Sequence, residues 1–215
     1  MRETNPAGGV THYLRDEAGN VTTLIYPDAT EVDKVYDQMN RMQSITDAAN
    51  GVRSFTYDRA SRLETQTDKN THATRFEYDG LDRLTKETNA QMTETDYVYD
   101  RNSNKLSETT GTATVSKSRS WTYTPRNKVA TMTEGNLLLM TYNYDPNNNV
   151  SRTTDGNNAV ISYIYDGLNR ITQKSLPGNQ RVTYAYNNWS QTGVTDTESA
   201  VTYTYDLLNR PTLET

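Results

Sequence analysis

The apolar positions of the chain recur with one period, which the pair tyrosine–aspartate makes easiest to see. We take the residue after the tyrosine as a mark and count the other positions from it. The marks fall at residues 16, 37, 58, 79, 100, 124, 145, 166, 187 and 206, and the motif is degenerate at Asp16, Thr124 and Asn187. Seven of the nine intervals are 21 residues long. So constant a period indicates a single tandem array of about ten units over residues 1–215.

Each repeat contains a short segment in which aromatic residues alternate with variable ones. Nine tyrosines lie one residue before a mark, and nine aromatic residues lie three residues before it. The residue between them varies freely, as Thr56, Glu77 and Ile164 illustrate. Side chains two positions apart in a strand point to the same face of a sheet. The alternation therefore predicts a strand with one aromatic face and one unspecified face.

A second apolar position follows most marks by five residues, for example at Val21 and Leu63, and we expect it to begin a second strand. Turn-forming residues come next, as in segments 47–51, 155–158 and 177–180. Short connections make successive strands neighbours in the sheet. The predicted fold class is all-β: tandem 21-residue β-hairpin repeats that form an antiparallel sheet of about twenty strands, which sheet twist forces to curl.

The turn at the mark has the form Asp-x-x-(Asn/Asp/Ser)-Arg, as in Asp37–Arg41 and Asp166–Arg170. An aspartate that opens a turn can accept hydrogen bonds from backbone N–H groups within it. The arginine lies close enough to pair with the aspartate of its own turn or of a neighbouring turn. Because one exposed ion pair contributes only about 0–1 kcal/mol, we expect the repeated pair to set register more than stability.

Composition favours a thin β-structure over both disorder and a large core. Leu, Ile, Val and Phe account for only 34 of 215 residues, whereas the chain contains 16 Tyr, 35 Thr and 21 Asn. Tyr and Thr suit half-buried strands, and Asn suits turns. A net charge of −5 without a basic run argues against a nucleic-acid partner. No stretch approaches 18 apolar residues, so we expect no membrane span.

Residues with candidate chemistry are sparse. His12 and His72 are the two histidines, and neither has a second His or a Cys at ligand spacing. The chain has no cysteine and no nucleophile-elbow pattern. The Asp- and Asn-rich turns could bind Ca²⁺, but they lack the spacing of an EF-hand loop, so turn chemistry explains them. We therefore predict no catalytic residue, no cofactor-binding residue, no metal ligand and no cofactor, and we expect the chain not to be an enzyme.

Two surface features admit two interpretations each. The aromatic residues could form a platform for sugar rings, or they could pack between neighbouring hairpins; their presence in every unit favours packing. The segment from Leu137 to Met140 is the most apolar window of the chain. It could be an interface to a partner or a buried strand.

The repeat resembles a known family. The segments YNYDPNNNVSRTTD, YIYDGLNRIT and FEYDGLDRLTKET are similar to RHS or YD repeats, the tyrosine–aspartate repeats of rearrangement-hot-spot proteins, and the resemblance runs from Tyr13 to Thr215. It implies a long β-sheet strip that spirals into a hollow shell. Such shells occur in bacterial polymorphic toxins, in the cocoon subunits of insecticidal toxin complexes and in teneurin-type adhesion proteins, and the bacterial shells enclose a C-terminal toxin.

The resemblance also implies partners and a location. The partners are the remainder of the same polypeptide, namely further repeats, a core region and a toxin cargo. The location is secreted or on the cell surface, although residues 1–10 contain no signal-peptide pattern. The self-cleaving carboxylates of the family belong to a core region that this sequence lacks, so they correspond to no residue here. Since the sequence stops nine residues after its last mark, we expect a fragment of a larger chain.

The expected function is therefore a structural segment of an RHS/YD-type shell. The alternative is a binding module that uses the repeat surface for glycans or for cell-surface protein partners. The two differ in what should follow the repeats, because a shell segment should precede a core region and a variable C-terminal domain.

Overall fold

The structure is a computed structural model that describes residues 2–206, 208 and 210–214. The described part contains twenty-one strands and one three-residue 3-10 turn, Pro177–Asn179. The strands are β1 Arg2–Thr4, β2 Val10–Arg15, β3 Val21–Ile25, β4 Glu31–Tyr36, β5 Met42–Thr46, β6 Val52–Tyr57, β7 Leu63–Thr67, β8 Ala73–Tyr78, β9 Leu84–Thr88, β10 Glu94–Tyr99, β11 Lys105–Gly111, β12 Ser116–Tyr123, β13 Val129–Glu134, β14 Leu137–Tyr144, β15 Val150–Asp155, β16 Val160–Tyr165, β17 Ile171–Ser175, β18 Arg181–Tyr186, β19 Gln191–Thr195, β20 Ala200–Tyr205 and β21 Pro211–Glu214.

The chain divides into two compact units. The first comprises Met1–Val98 and Glu108–Ser116, and the second comprises Tyr99–Ser107 and Lys117–Thr215. In the first unit, successive strands pair antiparallel, from β1 with β2 through to β9 with β10. The same holds from β12 to β21 in the second unit. The predicted all-β fold of antiparallel hairpin repeats is confirmed.

The turn at the mark has one geometry except at Asn187, where the backbone closes one residue earlier, on the carbonyl of Ser190; Asp37–Arg41 illustrates the common form. The N–H of Asn40 donates to the carbonyl of Asp37 at 3.0 Å, and the N–H of Asp37 donates to the carbonyl of Arg41 at 2.9 Å. Asn40 has φ 60°, and the pairing of β4 with β5 shifts by one residue between Val35 and Tyr36. A type I turn followed by a left-handed residue and a bulge gives this pattern, which explains the Asn, Asp or Ser at that position.

The other turn of the repeat uses the same chemistry where it opens on Asp or Asn, as at Asp47, Asp68, Asn89 and Asp155. In the turn after β5, the Oδ1 atom of Asp47 accepts the N–H groups of Ala49 at 2.9 Å and Gly51 at 2.8 Å. Asn50, which lies between them, has φ 62°. The interval between the marks at residues 100 and 124 is 24 residues long, and in it the N–H of Thr112 donates to the carbonyl of Val115 at 2.8 Å in the turn between β11 and β12.

The described residues form no hydrophobic core. No described hydrophobic side chain is buried. Among the described residues, only Gly193 is buried. The strands nevertheless have two different faces: the aromatic residues one and three positions before each mark are half-buried, whereas the residue between them is exposed, as at Val35, Val98 and Ile164. Within each unit the aromatic side chains contact neighbouring groups of the paired strands, which gives them partial burial.

The apolar segment Leu137–Met140, at the start of β14, is not buried. Leu137 and Leu138 are 63% and 41% exposed, and Leu139 and Met140 are partly covered. The window begins directly after a tight turn at Gly135, which has φ 57°. Its exposed end therefore lies at a hairpin tip.

Candidate functional site

The mark turns carry a network of hydrogen bonds and ion pairs that repeats from turn to turn within each unit. In the turn Asp58–Arg62, the Oδ1 atom of Asp58 accepts the N–H groups of Ala60 and Arg62, both at 2.9 Å. The Oδ2 atom accepts the Nε and Nη2 atoms of Arg62, both at 2.7 Å. Arginine and aspartate close the same ring in four other turns, at Asp37, Asp79, Asp166 and Asp206.

The arginine also connects its turn to the next one. The Nη1 atom of Arg62 donates to the carbonyl of Asp79 at 2.9 Å and pairs with the Oδ1 atom of Asp82 at 2.8 Å. The guanidinium lies 4.8 Å from the centre of the Tyr78 ring. The side chain therefore binds two turns and covers one ring face, which is the geometry of a cation–π contact.

The bridge from one mark turn to the next is made by arginine in some repeats and by asparagine in others. Arg41 lies 4.6 Å from the Tyr57 ring centre, and Arg170 lies 4.4 Å from the Tyr186 ring centre. Where asparagine replaces arginine, its amide takes over the bridging: the Nδ2 atom of Asn149 donates to the Asn169 side chain in the next turn at 2.8 Å. We refer to the bonds that join one mark turn to the next as the turn ladder.

The hydroxyl of the tyrosine before the mark is bonded to the backbone in most repeats. The hydroxyl of Tyr165 donates to the carbonyl of Val150, the first residue of β15, at 2.8 Å. Seven repeats contain this bond, each between a tyrosine and the backbone at the start of the preceding strand, at distances from 2.6 to 3.1 Å: Tyr36, Tyr57, Tyr123, Tyr144, Tyr165, Tyr186 and Tyr205. The ladder of tyrosines is thus also a set of hydrogen-bond donors to the sheet.

The surroundings of the mark turns favour ionised aspartates and protonated tyrosines. The backbone N–H of Arg62, followed by its guanidinium, lowers the pKa of the Asp58 carboxyl. The pKa of Asp166 is lowered in the same way by the backbone and side chain of Arg170. Burial raises the pKa of the Tyr165 hydroxyl, so this hydroxyl remains protonated and able to donate. The carboxylates are therefore ionised and already occupied by donors from their own turns.

The two histidines lie apart. His12 is exposed on β2, and His72 is exposed in the turn after β7, where its Nδ1 atom lies 3.3 Å from the Oδ2 atom of Asp68. Within the described ranges, no group of three or more His, Cys, Asp or Glu side chains could hold a metal ion. The described residues also contain no helix long and apolar enough to cross a membrane.

Sequence reasoning missed both contacts of the tyrosine. It placed Tyr57 and Tyr186 on one face of the sheet and the arginines in the turns, without connecting them. A signal was present, because the stacked arginine and tyrosine are 16 residues apart in all three cases, as in Arg62 and Tyr78. The hydroxyl acceptors are backbone carbonyls, and no residue type marks a carbonyl in a sequence.

The fold and the turns together define a class of protein: a tandem β-hairpin repeat array in which bonds join neighbouring mark turns within each unit. A family model described as RHS repeat matches residues 62–93 and 144–181. These two segments therefore match the RHS repeat, in agreement with the resemblance seen in the sequence. No curated protein matches its sequence.

Solved structures with the same fold are subunits of Tc toxins. The chain is similar to a chain of the Tc holotoxin pore of Photorhabdus luminescens, with a TM-score of 0.52 and 13% identity, covering 100% of this chain and 16% of that one. It is also similar to the TcdB2–TccC3 complex without its hypervariable C-terminal region, with a TM-score of 0.55 and 14% identity, covering 98% of this chain and 16% of that one. The chain therefore spans about one sixth of the length of these proteins.

Proposed function

We propose that the chain is a structural segment of an RHS-type shell, in a secreted or cell-surface protein, and that the shell encloses a C-terminal toxin of the same polypeptide. The observation that carries the proposal is the turn ladder, in which Arg62 binds its own turn through Asp58 and the next turn through Asp82. Each such bond joins one repeat to the next, so the same contact can stabilise an array of any length, as a shell built from repeats requires. The fold shared with Tc toxin subunits supports the same function.

The proposed role is not enzymatic and needs no cofactor. The carboxylates most regularly placed along the chain, such as Asp58 and Asp166, already accept backbone N–H groups and a guanidinium, so they are poor candidates for a base or a metal ligand. The partners we propose are further repeats, a core region and a toxin cargo from the same polypeptide. The net charge of −5 is a reason to propose no nucleic-acid partner.

Glycan binding by the aromatic face has less support. A platform for sugar rings needs open aromatic faces, and guanidinium groups cover one face of Tyr57, Tyr78 and Tyr186. The tyrosine hydroxyls, which could otherwise bind sugar hydroxyls, donate to backbone carbonyls in seven repeats. Both features serve packing between repeats.

Limited proteolysis of the native full-length polypeptide tests the shell function. We expect the region that follows the repeats to resist a protease while the repeats are folded. A double variant, Tyr144→Ala with Tyr165→Ala, weakens the wall and should expose that region. Ile164→Thr, on the opposite face between them in sequence, should leave it protected. If the following region is cleaved equally fast in all three proteins, or if the polypeptide ends with its repeats, the enclosure is disproved.

A further inference from the structure

The sequence contains a single asparagine–glycine pair, Asn50–Gly51, in the turn between β5 and β6. In an unfolded peptide such a pair deamidates readily, because glycine has no side chain to hinder attack by its own backbone nitrogen. Asn50 is exposed to solvent, and Gly51 is half-buried. The conformation of the turn therefore decides whether this pair reacts in the folded chain.

Deamidation at this pair exchanges one bond to nitrogen for another. The backbone nitrogen of Gly51 loses its proton and attacks the Cγ atom of Asn50, which closes a succinimide ring. The bond between Cγ and Nδ2 breaks, and the Nδ2 nitrogen takes up a proton and leaves as ammonia. Water then opens the ring at either carbonyl carbon, so the product carries aspartate or isoaspartate in place of the asparagine.

The turn holds the attacking nitrogen through Asp47. The N–H of Gly51 donates to the Oδ1 atom of Asp47 at 2.8 Å, and the carbonyl of Gly51 accepts the N–H of Asp47 at 2.9 Å. A Cβ atom at residue 51 would lie 2.8 Å from the Oδ2 atom of Asp47, so the carboxylate lies directly against the glycine backbone. We refer to the bond between the Gly51 N–H and the Asp47 carboxylate as the Asp47 cap. Attack requires this bond to break and the peptide to rotate toward Cγ.

The charge of the carboxylate opposes the reaction as well. The backbone N–H groups of Gly51 and Ala49 lower the pKa of Asp47, so the carboxylate is ionised and is a weak base. A weak base does not take the proton of an amide nitrogen. The negative charge instead disfavours the nitrogen anion that attack requires, because like charges at close distance raise the free energy of the charged form.

We propose that Asn50 is a latent deamidation site, which the Asp47 cap keeps unreactive while the turn is closed and which reacts when the hairpin of β5 and β6 opens. Isoaspartate adds a methylene to the backbone between residues 50 and 51. The turn is closed by the bond from the Asp47 N–H to Gly51 and by the bond from the Asn50 N–H to the Asp47 carbonyl, both at 2.9 Å, and a longer backbone no longer fits them. The change is irreversible, and the proposal does not depend on the shell function.

Peptide mapping by mass spectrometry, after incubation at mildly alkaline pH, tests the proposal. Trypsin cleaves after Arg41 and Arg53, so the site lies on peptide 42–53, which serves as the unfolded reference when it is incubated alone. We expect Asn50 to deamidate at least about tenfold more slowly in the intact chain, the factor that a hydrogen bond to a charged group supplies. Asp47→Ala should remove most of this protection.

Two variants separate the cap from a general loss of stability, and circular dichroism verifies that each is folded. Asp47→Asn keeps an acceptor, as Asn89 does where its Oδ1 atom accepts the N–H of Thr93 at 2.9 Å, and it should restore most of the protection. Asp155→Ala removes the corresponding cap, a bond of 2.8 Å to the N–H of Ala159, from a turn of the second unit. It should leave the rate at Asn50 unchanged.

Three results overturn the proposal. The first is an intact chain that deamidates at Asn50 as fast as the free peptide, a comparison that needs no variant to fold. The second is an Asp47→Ala chain that reacts no faster than the parent; a slower reaction would show that the carboxylate acts as a base. The third is equal acceleration by Asp155→Ala, which would attribute the protection to overall stability and not to the cap.

Discussion

Tyr165 provides the sharpest test of the aromatic face, because its two functions can be removed separately. Tyr165→Phe deletes only the hydroxyl, which donates to the carbonyl of Val150 at 2.8 Å. Tyr165→Ala deletes the hydroxyl and the half-buried ring together. Ile164→Thr changes the neighbouring residue on the opposite face, which is 52% exposed. The three variants share one strand, so differences between them report the face and not the location.

The magnitudes follow from the half-burial of the ring. Truncating an aromatic residue in a full core costs about 3–5 kcal/mol, and a ring covered on one side should cost roughly half of that, about 2 kcal/mol. The hydroxyl accounts for about 1 kcal/mol of this, since a net hydrogen bond contributes about 0.5–1.5 kcal/mol. Ile164→Thr keeps a β-branched side chain on an exposed face and should cost less than about 0.5 kcal/mol.

Native-state hydrogen exchange measures these costs locally, which suits a repeat array better than one global transition. We expect the amides of β15 to β17 to exchange about 30-fold faster in Tyr165→Ala and about fivefold faster in Tyr165→Phe. The amides of β4 and β5 should be unchanged in every variant, because coupling extends mainly to the nearest repeats. Ile164→Thr should match the parent throughout.

Two results would refute this reasoning. If Ile164→Thr and Tyr165→Ala accelerate exchange equally, the aromatic face is not the stabilising one. If Tyr165→Phe exchanges like the parent, the bond to Val150 contributes nothing and the tyrosine is retained for its ring alone.

Three further predictions concern the turns. Thr71 is a β-branched residue at φ 65°, so Thr71→Asn should stabilise the chain by about 1 kcal/mol in urea denaturation, and a lower stability would contradict the assigned turn. The turn aspartates, Asp58 among them, have a pKa that is lower in the folded than in the unfolded chain. Their stabilisation is therefore complete above about pH 4 and lost as pH falls through the folded-state values, so Tm should drop as pH falls below about 4, and a constant Tm would contradict this. Arg62→Lys keeps the charge but not the fork that binds two turns, so it should lower Tm more than Arg59→Lys at an exposed position of the same turn; equal effects would argue against the ladder.

Much of the local structure could be predicted from the sequence because about ten units carry the same residue pattern. The spacing of Tyr163 and Tyr165 predicts a strand with one aromatic face, and the structure places both rings on the half-buried side. The Asp-x-x-Asn-Arg spacing predicts a turn closed by its aspartate, and Asp166 accepts the N–H groups of Leu168 and Arg170 as expected. Both features depend on residues within five positions of each other, whose geometry the chain covalently restricts.

The longer contacts could not be predicted in the same way. Arg170 reaches the next turn and the Tyr186 ring, and Tyr165 reaches a carbonyl 15 residues earlier. Which atoms meet at such distances depends on the register of three strands and on the one-residue bulge before each mark. A shift of one residue would turn every side chain to the other face.

The sequence by itself determined the period, the all-β class, the two-faced strands and the chemistry of the turns, because these follow from local spacing and residue type. Only the tertiary structure decided that the aromatic rings remain half-exposed, that arginines stack on tyrosines of the next repeat, and that tyrosine hydroxyls bind backbone carbonyls of the preceding strand. The reason is that burial and the spacing between turns are properties of paired strands, and a residue's neighbours across a sheet are fixed by register, not by distance along the chain.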